Sequence, residues 1–203
     1  MAAAQKEFLR KGFHDASLRD IVRDAGVTTG AFYGYFSNKE SLFSALVEPS
    51  ASKVIERFSK SVKDFEDIPQ DEQIRRLHEP PIDYLDWLID YIYGHYDSFK
   101  LLICCSGGTF YADFIHRLTE AEIHATERFI SRLLARGIDV PPLDRQFLHI
   151  ITSGMFSAVC EVVIHDMPRQ QALRYASLLC TFYHAGWSKV FGLDASQRKE
   201  QKA

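Results

Sequence analysis

The sequence predicts an all-α protein in which a small N-terminal unit, residues 1–47, precedes a larger helical unit, residues 48–203. Three observations carry that expectation. Apolar residues recur at three- and four-residue spacing along most of the chain, as at Leu42, Phe43, Leu46 and Val47, the period of one buried helix face. Strand signals are scarce: there is no sustained period-two alternation and no Asn-Gly or Asp-Gly hairpin turn. Glycine and proline fall between the periodic stretches, where helices should end.

The elements follow in order. A first helix is expected over roughly residues 2–11, closed by Gly12. Ser17 caps a second helix, with Asp20 three residues on to complete a capping box and Leu18, Ile21, Val22 and Ala25 as its inner face. Gly26 ends it, Val27 fills the corner, and Thr28 starts a third helix of about seven residues. Asn38 caps a fourth, in which Pro49 should force a kink near residues 45–48 before the helix resumes through Val54, Ile55 and Phe58. A short helix is expected between the 66–73 region and Pro80-Pro81, then an aromatic-rich one from Ile82 to Tyr96, with a new start at Asp97-Ser98. After the break at 106–108, Thr109 to Arg136 reads as one long helix closed by Gly137. Pro141-Pro142 precedes an apolar helix over about 143–164, and Met167-Pro168 precedes a last one over about 169–191, ending at Gly192. The polar tail DASQRKEQKA is expected to fray.

Composition excludes several classes. A hydrophobic fraction of 46% over 203 residues supports a real core and argues against disorder. No run of about eighteen uncharged apolar residues occurs, and charges at positions 6, 7, 10 and 11 interrupt the place of a signal peptide, so a cytoplasmic protein without a membrane partner is expected. The four cysteines lack any CxxC or zinc-ribbon spacing and read as buried free thiols. Net charge is −3; residues 1–47 carry six Lys or Arg against five Asp or Glu, which leaves −4 for the remainder. That asymmetry permits nucleic-acid binding without demanding it. No nucleophile motif, phosphate loop or paired-carboxylate constellation suggests an enzyme, and no cofactor motif is present.

The stretch GVTTGAFYGYF, residues 26–36, holds three glycines and four aromatics in eleven residues. Two short helices joined by a tight glycine turn make a helix-turn-helix, whose second helix enters the DNA major groove. Gly26 permits the turn, and Gly30 leaves no side chain where the recognition helix meets sugar-phosphate or base edges. Thr28 and Thr29 bring short hydroxyls to the positive helix end, within reach of phosphates or thymine methyls. Tyr33 and Tyr35 offer phenol hydroxyls to phosphate, whereas Phe32 and Phe36 are expected in the core. Lys39 is an unfavourable charge in the first turn of its helix but a useful one opposite a phosphate.

The run FLRKGFHDASLRDIVRDAGVTTGAFYGYFSNKESLF resembles the TetR/AcrR family of bacterial transcriptional regulators over about residues 2–47. The resemblance implies that Thr28, Thr29, Gly30, Tyr33 and Tyr35 face operator DNA, with Lys39 and the Ser17 hydroxyl on phosphates. Tyr35 stands where many members have His, which should preserve a phosphate hydrogen bond. The chain begins in the middle of what is usually a longer first helix, without the basic arm that precedes it in relatives. A salt dependence of DNA binding shallower than the family's is therefore expected, each missing phosphate contact flattening the slope by about one.

A single reading head binds weakly, so a homodimer spanning two half-sites about 34 Å apart is expected. Ile151, Gly154, Met155, Ala158 and Val162 on the penultimate helix, with Tyr175, Ala176, Leu179, Tyr183 and Gly186 on the last, form the expected four-helix interface. Trp87, Tyr91, Phe110, Tyr111, Phe114, Phe129, Phe156 and Cys160 are the expected lining of a cavity for a small, largely apolar effector. The leading reading is a ligand-responsive regulator, a repressor released by its effector. The rival is a thiol or metal sensor using Cys104 and Cys105, or His116 and His124, although no third metal ligand is evident and His116, Glu120 and His124 read as a solvated face.

Overall fold

The computed structural model describes residues 1–76 and 82–192; the Pro80-Pro81 boundary and the expected frayed tail lie outside them. Among the described residues every regular element is helical. The N-terminal head comprises α1 (Ala2–Asp15), α2 (Leu18–Asp24), α3 (Thr29–Tyr35) and the start of α4 (Lys39–Asp67). Gly12, at φ 73° and ψ 171°, interrupts α1 where the sequence ends the helix, and Phe13–Asp15 form a further turn beyond it. Phe8, Ile21, Val22, Phe32, Phe43 and Val47 pack as the shared core of these four helices.

Caps set the helix starts. The Ser17 hydroxyl accepts from Asp20 N at 3.2 Å, but the expected capping box is only half formed. Ser17 N–H donates instead to Glu7 Oε1 at 3.3 Å, because the buried Glu7 carboxylate reaches back from α1. Asp20 turns its carboxylate to Arg23 at 2.8 Å and Lys11 at 3.4 Å. The Lys11 and Arg10 hydrogen bonds hold the Glu7 carboxyl down to about 2. Asn38 and Ser41 close a full box on α4. Val27 does not fill the corner: its backbone N–H is held by Val22 O at 3.1 Å while its side chain stays 47% exposed. Ala25 is likewise exposed.

The body comprises the rest of α4, α5 (Gln70–Arg76), α6 (Ile82–Gly94), α7 (Tyr96–Cys104), a 3-10 turn (Phe110–Asp113), α8 (Phe114–Ala135), α9 (Arg145–Ile164) and α10 (Arg169–Val190). Two boundaries differ from expectation. α4 runs through Pro49 as one helix to Asp67, since Val47, Ser50, Ala51, Val54 and Phe58 stay buried on one continuous face whose packing outweighs one missing N–H. The expected helix from Thr109 splits because the Thr109 hydroxyl accepts from Tyr111 N at 3.1 Å and holds a tight turn before α8 starts. α8 packs on α9, α10 on α6, and α7 lies against α1, α4 and α9.

Head and body share α4, so the expected boundary at residue 47 falls inside a helix and not in a linker. Further ties cross it. Phe13 N donates to Cys105 O at 2.9 Å, Ser98 Oγ to Leu46 O at 2.7 Å, and Phe110 N to Glu40 Oε1 at 3.3 Å. The Tyr111 hydroxyl donates to Glu48, and its ring lies 6.3 Å from that of Phe43. α7 and the loop that follows it are therefore in direct contact with the head.

Candidate functional site

The second helix of the helix-turn-helix, α3, projects two aromatic rings outward. Tyr33 is 56% exposed and Tyr35 86%, whereas Phe32, at 6%, faces inward with Phe36 half-buried beside it. The separation follows from helical geometry: Phe32 and Phe36, four residues apart, share the inner stripe, and the tyrosines fall off it. Gly26, at φ 65°, makes the turn that brings α3 across α2. Thr28 caps α3, accepting from Ala31 N at 3.1 Å, and keeps its own hydroxyl proton for another acceptor.

Gly30 and Gly34 are unexplained by anything inside the chain. A Cβ on Gly30 would meet only Thr28 Oγ1, at 3.9 Å, and one on Gly34 would meet nothing within 4 Å. Glycine in a helix weakens it by about 0.5–1 kcal/mol relative to alanine, so two of them on an exposed seven-residue helix have a cost and no internal benefit. The missing atoms matter only to something that approaches from outside. Gly34, beside the two tyrosines, belongs with the candidate surface residues although the sequence reading took it only as part of the glycine-rich run.

Lys39 is already engaged. Its Nζ donates to His14 O and Ala16 O, both at 3.0 Å, and lies 4.6 Å from the Phe13 ring centroid. It therefore closes the end of α1 and holds α4 against it, leaving one ammonium proton for an outside acceptor. Arg19, near the start of α2, is exposed and makes no ion pair or hydrogen bond among the described residues, a basic group that sequence reading did not single out. The Ser17 hydroxyl accepts within its cap and can still donate outward.

Fold and surface together define a helix-turn-helix head on a helical body. Residues 1–46 match the model of bacterial regulatory proteins of the tetR family. An uncharacterized HTH-type transcriptional regulator, YdgC of Bacillus subtilis, is 44% identical over 54 residues, 27% of this chain and 28% of that protein. The fatty acid metabolism regulator protein of the same organism is 32% identical over 62 residues, 30% of this chain and 32% of that protein. The match thus spans less than a third of these curated relatives, and it lies in the head. The fold extends further: a TetR-family regulator structure from Syntrophomonas wolfei aligns over 96% of this chain and 94% of its own at TM-score 0.56 and 18% identity. A B. subtilis FadR structure in complex with stearoyl-CoA aligns over 88% and 95% at TM-score 0.53 and 17% identity. The head is thus similar in sequence to tetR-family regulators over residues 1–46, and the whole chain is similar to TetR-family structures in fold.

In the body, the eight residues expected around one cavity are dispersed. Phe129 packs in a separate cluster with Leu133, Val140 and Phe191. Phe110 is 64% exposed, its face covered by Arg117 at 4.3 Å, and Tyr111 and Phe114 are buried where the 3-10 turn meets the main core. Phe156 lies against Phe58 at 5.9 Å, and Cys160 is buried. Phe110 and Tyr111 keep ring contact at 5.6 Å, and Trp87 and Tyr91 remain together, stacked at 5.3 Å along α6. One helix turn separates the latter two, whereas the others sit on helices whose facing only the packing sets.

That pair has polar neighbours the sequence did not reveal. Tyr84 lies 5.8 Å from Trp87, and the Arg57 guanidinium sits 5.0 Å over the Trp87 ring. Burial pushes the Glu122 carboxyl up to about 6, and burial, with Glu122 as a lesser cause, pushes up the Tyr84 phenol. Glu122 nevertheless keeps part of its accessible surface, so protein surrounds it without sealing it from water. Because its folded pKa is raised, the protein loses stability as pH climbs from about 4.3 through about 6, by at most about 2 kcal/mol. Glu122→Gln is expected to unfold later than wild type in urea at pH 7.5 and to match it at pH 4; an advantage that is equal at both pH values would show that the carboxyl is not strained.

The expected interface residues divide in two. Val162 and Ala176 are each 2% exposed and belong to the protomer's own core, although Val162 also floors a shallow surface concavity between α9 and α10. Ile151, Met155, Ala158, Leu179 and Tyr183 are half-buried, and Gly154, Tyr175 and Gly186 are exposed. A Cβ on Gly154 would sit 3.4 Å from the Tyr183 hydroxyl, so that glycine serves the α9–α10 contact within the chain. The large exposed apolar groups on this side are Ile150 at 65%, which the sequence placed among the apolar residues of α9, and Ile164 at 41%, Leu178 at 57% and Phe182 at 71%, which it did not single out. By length and composition alone α9 could cross a membrane, at mean hydropathy 1.8 with 22% of that stretch buried. Here it packs on α8 and α10.

Proposed function

We propose that the protein acts as a homodimeric, ligand-responsive transcriptional regulator, a repressor that leaves its operator when a small, largely apolar effector enters the body. The observation that carries the DNA contact is the outer face of α3, where exposed Tyr33 and Tyr35 flank Gly30 and Gly34 and those glycines leave open space. Thr28 and Thr29 stand at its leading end, with Ser17, Arg19 and the remaining proton of Lys39 available to phosphates. Tyrosine hydroxyls on stiff rings position the helix, while glycines let its backbone come close.

Dimerisation finds support in the exposed apolar rows of α9 and α10, since Leu178 and Phe182 lie one turn apart and a shallow apolar concavity bordered by Ala158, Met167, Tyr175 and Leu179 adjoins them. The Trp87–Tyr91 stack with Tyr84, Arg57 and Glu122 is the best candidate for effector contact: an aromatic wall with two charged groups suits an apolar ligand that carries a polar end. The ties from α7 and its following loop to α1 and α4 supply the route by which occupancy would retilt the heads, through a coupling of about 1–3 kcal/mol. The thiol-sensing alternative has little to support it. Burial pushes all four thiols up, the opposite of what a reactive thiolate needs, even though Cys104 is exposed and not buried as its sequence context suggested.

The test is selection from a random DNA pool by purified protein, followed by challenge of the bound complex with candidate apolar ligands. A pseudo-palindrome with half-sites about one or more helical turns apart is expected, and release by at least one ligand class. Enrichment of no sequence over the starting pool would defeat the reading.

A further inference from the structure

We propose that His116, Glu120 and His149 form a binding site for a first-row transition-metal dication, with Zn2+ as the simplest occupant, that staples α8 to α9. One ligand atom from each of the three residues lies within 4.8 Å of the others. His116 and Glu120 are one helical turn apart on α8, and His149 faces them from α9 across the helix pair that packs most extensively in the body. The two imidazole rings are 5.7 Å apart between centroids, and His149 Nδ1 is 3.5 Å from Glu120 Oε1.

The donor set suits the metal class. Two imidazoles and one carboxylate, with further positions open to water, match the three-ligand arrangement that Zn2+ adopts outside purely structural sites. Bonds of about 2.1 Å in a tetrahedron set ligand atoms about 3.4 Å apart, so closure from the present spacing needs small side-chain rotations only. His116 is exposed and the other two half-buried, which leaves them free to make that adjustment.

Glu120 is already oriented for it. Arg145 Nη2 donates to Glu120 Oε2 at 2.6 Å, and Arg145 Nη1 to Glu127 Oε1 at 2.7 Å, so the guanidinium holds one carboxylate oxygen from behind while Oε1 is turned to the histidines. A carboxylate fixed this way by its own hydrogen bond is the usual support of a metal ligand. The same bond limits affinity, because the metal must share the carboxylate with a cation.

The sequence paired His116 with His124 and showed no third ligand. His124 stands eight residues from His116, about 12 Å along the helix axis, too far for one metal ion. It lies instead beside Glu127 at 3.3 Å.

The test uses the full chain after chelator treatment and dialysis. Co2+ titration is expected to develop the visible absorption of a low-symmetry, imidazole-bound ion and to saturate at one equivalent per chain, and Zn2+ should displace it. His149→Ala and Glu120→Gln should each weaken Zn2+ binding, read by competition with a chromophoric chelator, by at least about tenfold, while His124→Ala leaves it unchanged. Zn2+ should raise the thermal midpoint of the wild type and not that of His149→Ala, which also guards against a variant that merely misfolds. Binding that persists in His149→Ala, that disappears in His124→Ala, or that is absent in the wild type at millimolar Zn2+ would overturn the site.

Discussion

The double substitution Leu178→Glu and Phe182→Glu is expected to yield a folded monomer whose operator affinity is lower by about 10²–10⁴-fold, the advantage of two linked heads over one. Both side chains project from α10 into solvent in the isolated chain, 57% and 71% exposed, so neither holds the protomer together. In a dimer each would be buried twice by symmetry, and each apolar side chain so buried contributes about 1.5–3 kcal/mol. A glutamate in its place removes that contribution and sets like charges near the two-fold axis. Sedimentation velocity reads the mass, circular dichroism the helix content, and fluorescence anisotropy the operator affinity. Retention of a dimer with undiminished affinity would move the interface elsewhere on the molecule.

Gly30→Ala combined with Gly34→Ala should push stability and DNA binding in opposite directions. Each alanine finds open space and strengthens α3, by about 0.5–1 kcal/mol if the helix interior scale applies. That is a rise of about 2–4 °C in Tm per kcal/mol for a chain of this size. At the operator the same methyl groups meet DNA that must come close to the helix backbone, and overpacking of about 1–3 kcal/mol lowers affinity by about 5- to 150-fold. A control pair, Tyr33→Phe and Tyr35→Phe, removes only hydroxyls and should weaken binding less while leaving its salt dependence nearly unchanged, since a neutral hydroxyl releases no counterion. If the alanine variant is both more stable and an equal or better DNA binder, the glycines have no part in the contact.

Legibility in the sequence tracks the range of the interaction. The caps at Ser17, Thr28 and Asn38 and the turn glycine Gly26 each act within a few residues, and each stands where the sequence puts it. The outward tyrosines and inward phenylalanines of α3 are likewise a consequence of one helix period. Errors begin where a distant residue competes. Glu7, ten positions upstream, takes the Ser17 N–H that a local capping box would have used, and Lys39 turns to carbonyls 23 and 25 positions away.

By itself the sequence determined the helical class, the order of the elements, and a head whose third helix carries glycines in place of side chains, because these depend on periodicity and on backbone conformations that few residues allow. Only the tertiary structure decided which face of each body helix is hidden. Val162 and Ala176 went to the core, Leu178 and Phe182 to the surface, the aromatics to several clusters, and His149 to the side of His116. The physical reason is that an apolar stripe records that a face is buried but not against what, and helix rotation and partner choice are settled by packing between segments far apart in the chain.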